Sequence, residues 1–249
     1  MSAIFKREFK SYFSSPIGYI TLAIFFFFLG YSFSIIYSYG SPDIATVIMA
    51  MSSIVIFIIP VLTMRLMSED KRQKVDQVLL TAPIKLSSVV LGKFFAALAV
   101  YAIGFAPTVI FQIIIACYVK INIMSYLYAL LGVMLLGGVL IAVGMFISSL
   151  TESSVIAGVL TLVINILTLY ISSLSSMISV PEGSTGFFST IWAKIVEFFV
   201  LFLEKTAFIT VFENFGENVF SIADVIYFLS IIAAFIFLSI RSLEKRRWA

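Results

Sequence analysis

Residues 17–39 read IGYITLAIFFFFLGYSFSIIYSY, an unbroken run with no Asp, Glu, Lys or Arg. At a rise of ~1.5 Å per residue, such a helix is ~34 Å long and crosses a hydrocarbon core of ~30 Å with some tilt. It is not a cleaved signal peptide. A signal's apolar region covers about 7–15 residues and ends at a small-residue cleavage site, whereas this run continues into Tyr37, Ser38, Tyr39 and Gly40. Five further runs of the same kind follow, at about 44–64, 94–116, 124–148, 155–178 and 222–240. The fold class expected is an all-α integral membrane protein, a single transmembrane domain over 1–249 with six transmembrane helices.

Composition agrees. Of 249 residues, 61% are apolar, 16% aromatic and 12% charged, a charge share about half the roughly 25% of an average soluble domain. With 26 Phe against 13 acidic residues, no water-soluble surface can be built, which excludes a soluble enzyme and a free nucleic-acid binder. There is no His and one Cys, Cys117. Ser/His and Cys/His nucleophilic pairs, His-ligated metals and an intrachain disulfide are therefore all excluded, leaving no catalytic or metal site to nominate. Cys117, at an apolar helix end, reads as a small buried apolar residue.

The net charge of +3 is uninformative, but its distribution is not. Lys6, Arg7, Lys10, Arg65, Lys71, Arg72, Lys74, Lys85, Lys93, Arg241, Lys245, Arg246 and Arg247, 13 of the 16 basic residues, fall before the first run, between the second and third, or after the last. Only Lys120, Lys194 and Lys205 fall on the other side, so the positive-inside rule puts both termini in the cytoplasm. The stretch 187–221 is rejected as a seventh span. Lys194, Glu197, Glu204 and Lys205 bracket too short a run, which reads instead as short helices at the outer interface.

Three polar features are candidates for work. In residues 2–15, Phe5, Phe9, Tyr12 and Phe13 share one arc of a helical wheel beside Lys6, Arg7 and Lys10, the pattern of an interfacial helix that ends at Ser14, Ser15 and Pro16. The loop 65–93 is the longest polar stretch between runs, and a helix over 66–80 places Met67, Val75, Val78, Leu79 and Lys71 on one arc. Glu69, Asp70, Arg72 and Asp76 are then free, Asp70 with Lys74 and Arg72 with Asp76 at i,i+4 spacing, until Pro83 stops the helix. This loop reads either as a solvated topogenic segment or as a docking surface for a cytoplasmic protein. Third, Thr161, Asn165 and Thr168 give the fifth run a polar face that serves interhelical hydrogen bonding or lines a path. No carboxylate is placed mid-span, which disfavours proton or sodium coupling. Small residues Gly138 and Ala142 suit close helix packing, and Pro60 and Pro107 suit kinks.

The chain also lacks a motor. Its Gly92–Lys93 dipeptide has Ser87 and Phe94 where a phosphate-binding loop needs a glycine and a Ser or Thr, so nucleotide hydrolysis belongs to another polypeptide.

The segments KREFKSYFSSPIGYI at 6–20, RLMSEDKRQKVDQVLLTAPIKLSSVVLGKFFAAL at 65–98 and SSLTESSVIAG at 148–158 together resemble the ABC-2-type ABC transporter permeases, within them the branch holding the GldF gliding-motility and NosY nitrous-oxide-reductase-maturation permeases. Lys74, Val75 and Asp76 stand where the family commonly has Gly-Thr and an acidic residue. The resemblance implies that residues 2–15 are the elbow helix, that 66–86 with Glu69, Asp70, Lys71, Arg72, Asp76 and Pro83 couples to the ATPase, and that 187–220 forms re-entrant external helices. It further implies a bacterial plasma (inner) membrane subunit, non-catalytic itself and binding no cofactor. It would work with two cytoplasmic ABC ATPase subunits carrying ATP and Mg, and with a second permease copy or related chain. An exporter is the first expectation. The alternative is a non-transporting subunit that passes ATPase motion to an envelope partner.

Overall fold

The computed structural model describes residues 2–40, 43–74, 85–118, 122–177, 211, 212, 215 and 221–247, with the side chains of 169–177, 246 and 247 outside the description. All regular structure among the described residues is helical: α1 Ser2–Ser14, α2 Pro16–Ser38, α3 Ile44–Thr63, α4 Ser68–Arg72, α5 Leu86–Ala116, α6 Ile123–Leu150, α7 Ser154–Met177 and α8 Ile222–Arg247. Among the described residues, five stretches are long and apolar enough to cross a membrane, namely α2, Ile44–Arg72, α5, α6 and Ile222–Lys245. In α7 the backbone is helical over 24 residues, and its apolar helix with described side chains, Ser154–Thr168, is shorter than a span.

Helix starts follow local chemistry. Pro16 occupies the first turn of α2, where its missing N–H costs nothing. Asp43 and Asn122 cap α3 and α6 by accepting from the N–H groups of Ala45 and Met124, each at 3.1 Å. The corner between α1 and α2 closes over Gly18, where a Cβ would lie 2.3 Å from the Tyr12 carbonyl oxygen.

The centre of the bundle is α6. In its most apolar stretch 72% of residues are buried, against 22% for α2 and 17% for α8. Its glycines make the room: a Cβ on Gly137 would strike the Tyr101 ring of α5, one on Gly138 Ile232 of α8, and one on Gly144 Thr63 of α3 and Thr161 of α7. Thus Gly137, Gly138 and Gly144 each admit a different neighbour, and Ala142 is fully buried beside them. Phe25, Tyr101 and Phe105 pack edge to face with centroids 5.1–5.7 Å apart, and the Tyr101 hydroxyl donates to the Val133 carbonyl at 2.8 Å. The ring pairs bind α2 to α5 beyond their buried area by about 1 kcal/mol each, and the hydroxyl ties α5 to α6.

Three expectations are corrected. The helix expected over 66–80 is the short α4, because Gln73 closes its last turn and Lys74 turns left-handed at φ +58°. The helix holding the third apolar run begins at Leu86, so the loop expected over 65–93 gives way to α5 after Lys85. Cys117 is exposed, because α5 ends at Ala116 and leaves the thiol beyond the packed part of the helix. The loop residues 75–84, with Asp76 and Pro83, lie outside the described residues. So do the external helices expected over 187–220, except Val211, Phe212 and Phe215; Phe212 and Phe215 are buried in the core.

Candidate functional site

At the end of the bundle that carries the basic residues, α1, α4 and the first turns of α5 converge on one ammonium. Lys93 is 1% exposed. Its Nζ lies 2.8 Å from Asp70 Oδ2 on α4 and 3.1 Å from Glu8 Oε1 on α1, and it donates to the Leu66 carbonyl at 2.7 Å. Arg7 pairs with Glu8 at 2.5 Å and stands 3.9 Å from Asp70. Burial draws the Arg7 guanidinium down, but the Glu8 hydrogen bond and the charges of Glu8 and Asp70 outweigh it and hold the group above its ordinary value. Two cations and two carboxylates balance, and the buried member, Lys93, has the partners that burial of a charge requires, while Arg7 stays exposed.

Helix α1 reaches this site because it lies along α5: a Cβ on Gly92 would be 3.0 Å from Ile4 Cγ2. Along it Phe5 stacks on Phe9 with centroids 5.8 Å apart and Phe9 meets Phe13 at a tilt with centroids 5.1 Å apart, all three half-buried. Tyr12 donates its hydroxyl to the Leu62 carbonyl at 2.8 Å; burial first, then the charge of Glu8, pushes this phenol up. Lys6, Arg7 and Lys10 face outward.

Serines fasten α4 to the rest of the bundle. Ser148 Oγ accepts from the Met67 and Ser68 N–H groups, both at 3.1 Å, and donates to the Met64 carbonyl at 3.2 Å. Ser68 Oγ donates to Met64 O at 2.5 Å and so accepts from Ser154 Oγ at 2.9 Å. Lys71, buried, donates to the Ser149 carbonyl, which also receives Ser242 of α8 at 3.4 Å. Between α1 and α4 an open polar cleft of about 360 Å³ is lined by Arg7, Glu8, Ser11, Arg65, Glu69 and Asp70 among others. No group of three metal-binding side chains occurs among the described residues.

The residues singled out from the loop thus divide. Asp70 points inward to Lys93 rather than to Lys74, and Lys71 is a buried fastening. Arg72 is exposed, while Glu69, half-buried, accepts from Gln73 at 3.2 Å. Thr161, Asn165 and Thr168 are all buried, with Asn165 Nδ2 donating to the Ile56 carbonyl of α3 at 3.2 Å. Glu8, Lys93, Ser68, Ser148 and Ser154 were not singled out. The available signals were a lone acid among three bases in α1 and a lysine set in the apolar context VVLGKFFAAL.

A family model described as ABC-2 family transporter protein matches residues 37–241. No curated protein matches the chain.

Proposed function

The chain belongs to the ABC-2 transporter family, whose members are multi-pass permease components of ABC transporters partnered by ABC ATPase subunits, and from that premise we propose that it is an exporter permease driven through α4. In this reading six helices span a bacterial plasma membrane with both termini in the cytoplasm, α1 is the elbow helix, and the loop after α3 docks on the ATPase. Two ATPases and a second permease, identical or related, complete the transporter, with ATP and Mg held by the ATPases. The segment resemblances above favour the motility and maturation branch.

One observation carries the coupling: the charged cluster around Lys93 ties α1, α4 and α5 together, while Ser68, Ser148 and Ser154 tie α4 to α6 and α7. A push on α4 therefore reaches the ends of several helices as a rigid-body displacement instead of being absorbed by a flexible loop.

The test reverses the charges on α4 that are not spent on internal pairing to Lys93. Glu69→Lys with Arg72→Glu, co-expressed with the cognate ATPase, should reduce co-purification and stimulated ATP hydrolysis together while the permease remains inserted at normal yield. Charges at such a contact set register and partner choice. Unchanged co-purification and hydrolysis would overturn the docking assignment. The second reading, a subunit passing motion to an envelope partner, draws support from Phe212 and Phe215, which are buried in the core, Phe215 against Gly132 of α6.

A further inference from the structure

Pro60 lies inside α3, where it has no N–H to give to the carbonyl four residues earlier, that of Ile56. Ile56 is 1% exposed, so no solvent reaches that oxygen from a protein surface, and a freed carbonyl in such a place must find another donor. The donor present comes from another helix: Asn165 Nδ2 of α7, 3.2 Å away. Asn165 is itself 0% exposed and its Oδ1 has no partner among the described residues. The amide's orientation is nonetheless fixed, since exchanging its ends would set two oxygens against each other. The surroundings leave little slack. Just beyond the proline, a Cβ on Gly144 would lie 2.3 Å from Thr63 Oγ1, and one on Gly158 3.3 Å from Met64 Cβ.

We propose that Asn165 replaces the hydrogen bond that Pro60 removes, pinning α7 to a pivot in α3. The pivot stands one turn before α3 gives way to α4, and beyond it Thr63 and Met64 pack against α6 and α7, so α4 and the helix ends fastened to it turn together about that point. The bond itself needs no transporter function. Its use as a pivot rests on the permease reading above, and the experiment separates the two.

Four purified permeases are compared by thermal unfolding in one detergent: the natural chain, Asn165→Ala, Pro60→Ala and the double variant. Asn165→Ala should lower the midpoint by about 2–4 °C, the shift expected for one lost bond in a chain of this size. With Pro60→Ala, an N–H returns to Ile56, and the loss from Asn165→Ala should fall to near zero. Equal losses in both backgrounds would overturn the bond. Pro60→Gly supplies a second background that also restores the N–H. If Asn165→Ala alone yields no folded protein, recovery of yield in either proline variant supports the proposal and no recovery overturns it. ATP turnover of the assembled transporter tests the pivot. A changed rate in Asn165→Ala supports it, and an unchanged rate overturns the pivot while leaving the bond. Neither result bears on where the ATPase docks, which the Glu69 and Arg72 reversal reads.

Discussion

At Lys93 an ammonium buried within the first turns of an otherwise apolar helix is balanced by Glu8 and Asp70, carboxylates from two other elements. Removing one partner of a buried pair costs about 3–5 kcal/mol, because the charges left behind lose their compensation. Lys93→Met should therefore lower the thermal midpoint markedly, by leaving the two carboxylates with only the exposed Arg7 to balance them. Adding Glu8→Gln and Asp70→Asn should recover most of the loss, since neutral amides replace the repulsion; unfolding of the permease in detergent reads both. The residues of this site were only partly legible in sequence. Asp70 has Lys74 at helical spacing, and local pattern assigns that pair. But Lys74 leaves the helix with a positive φ, and the true partner arrives from across the loop. Likewise, nothing local marks Asn165 as the answer to Pro60, because the two stand on helices distant in sequence.

Elements were more legible than their contacts. Runs of about 20 apolar residues specify helices of membrane length almost without regard to context, since in lipid every backbone group must be bonded within its own segment. Where a polar stretch intervened, the reading weakened: α4 is short because one left-handed residue ends it, a choice that periodicity alone does not reveal. The glycines of α2 test the packing of elements. Gly18 is closed in by the Tyr12 backbone at 2.3 Å, whereas Gly30 has nothing within 4 Å of its would-be Cβ. Gly18→Ala should therefore spread the α1–α2 corner and reduce stability or yield. Gly30→Ala should be neutral or gain up to about 1 kcal/mol from helix propensity. Thermal midpoints of the two variants, measured side by side, check the contrast, and equal effects would argue against the close corner.

For the whole molecule, hydropathy could not rank the helices, because all the runs are comparably apolar and only packing distinguishes the central α6 from the peripheral α2 and α8. The expected orientation rests on the 13 basic residues that fall before the first run, between the second and third, or after the last. It makes a simple demand on the single thiol. Cys117 is exposed at the end of α5 opposite Lys93. An impermeant maleimide added to spheroplasts should label it, and in a Cys117→Ser background should label Lys74→Cys only after permeabilisation; the reverse pattern would invert the topology. The central claim is that α4 and the helix ends around it move as one body when the ATPases act. Ser68 and Ser154 have their Oγ atoms 2.9 Å apart, close enough for a cysteine pair to be joined. The most direct measurement is ATP turnover by the assembled transporter carrying Ser68→Cys, Ser154→Cys and Cys117→Ser, compared with the disulfide formed and reduced. A rigid unit gives the same rate in both states, and a rate that collapses on oxidation and returns on reduction would contradict the account by showing that α4 must slide over α7.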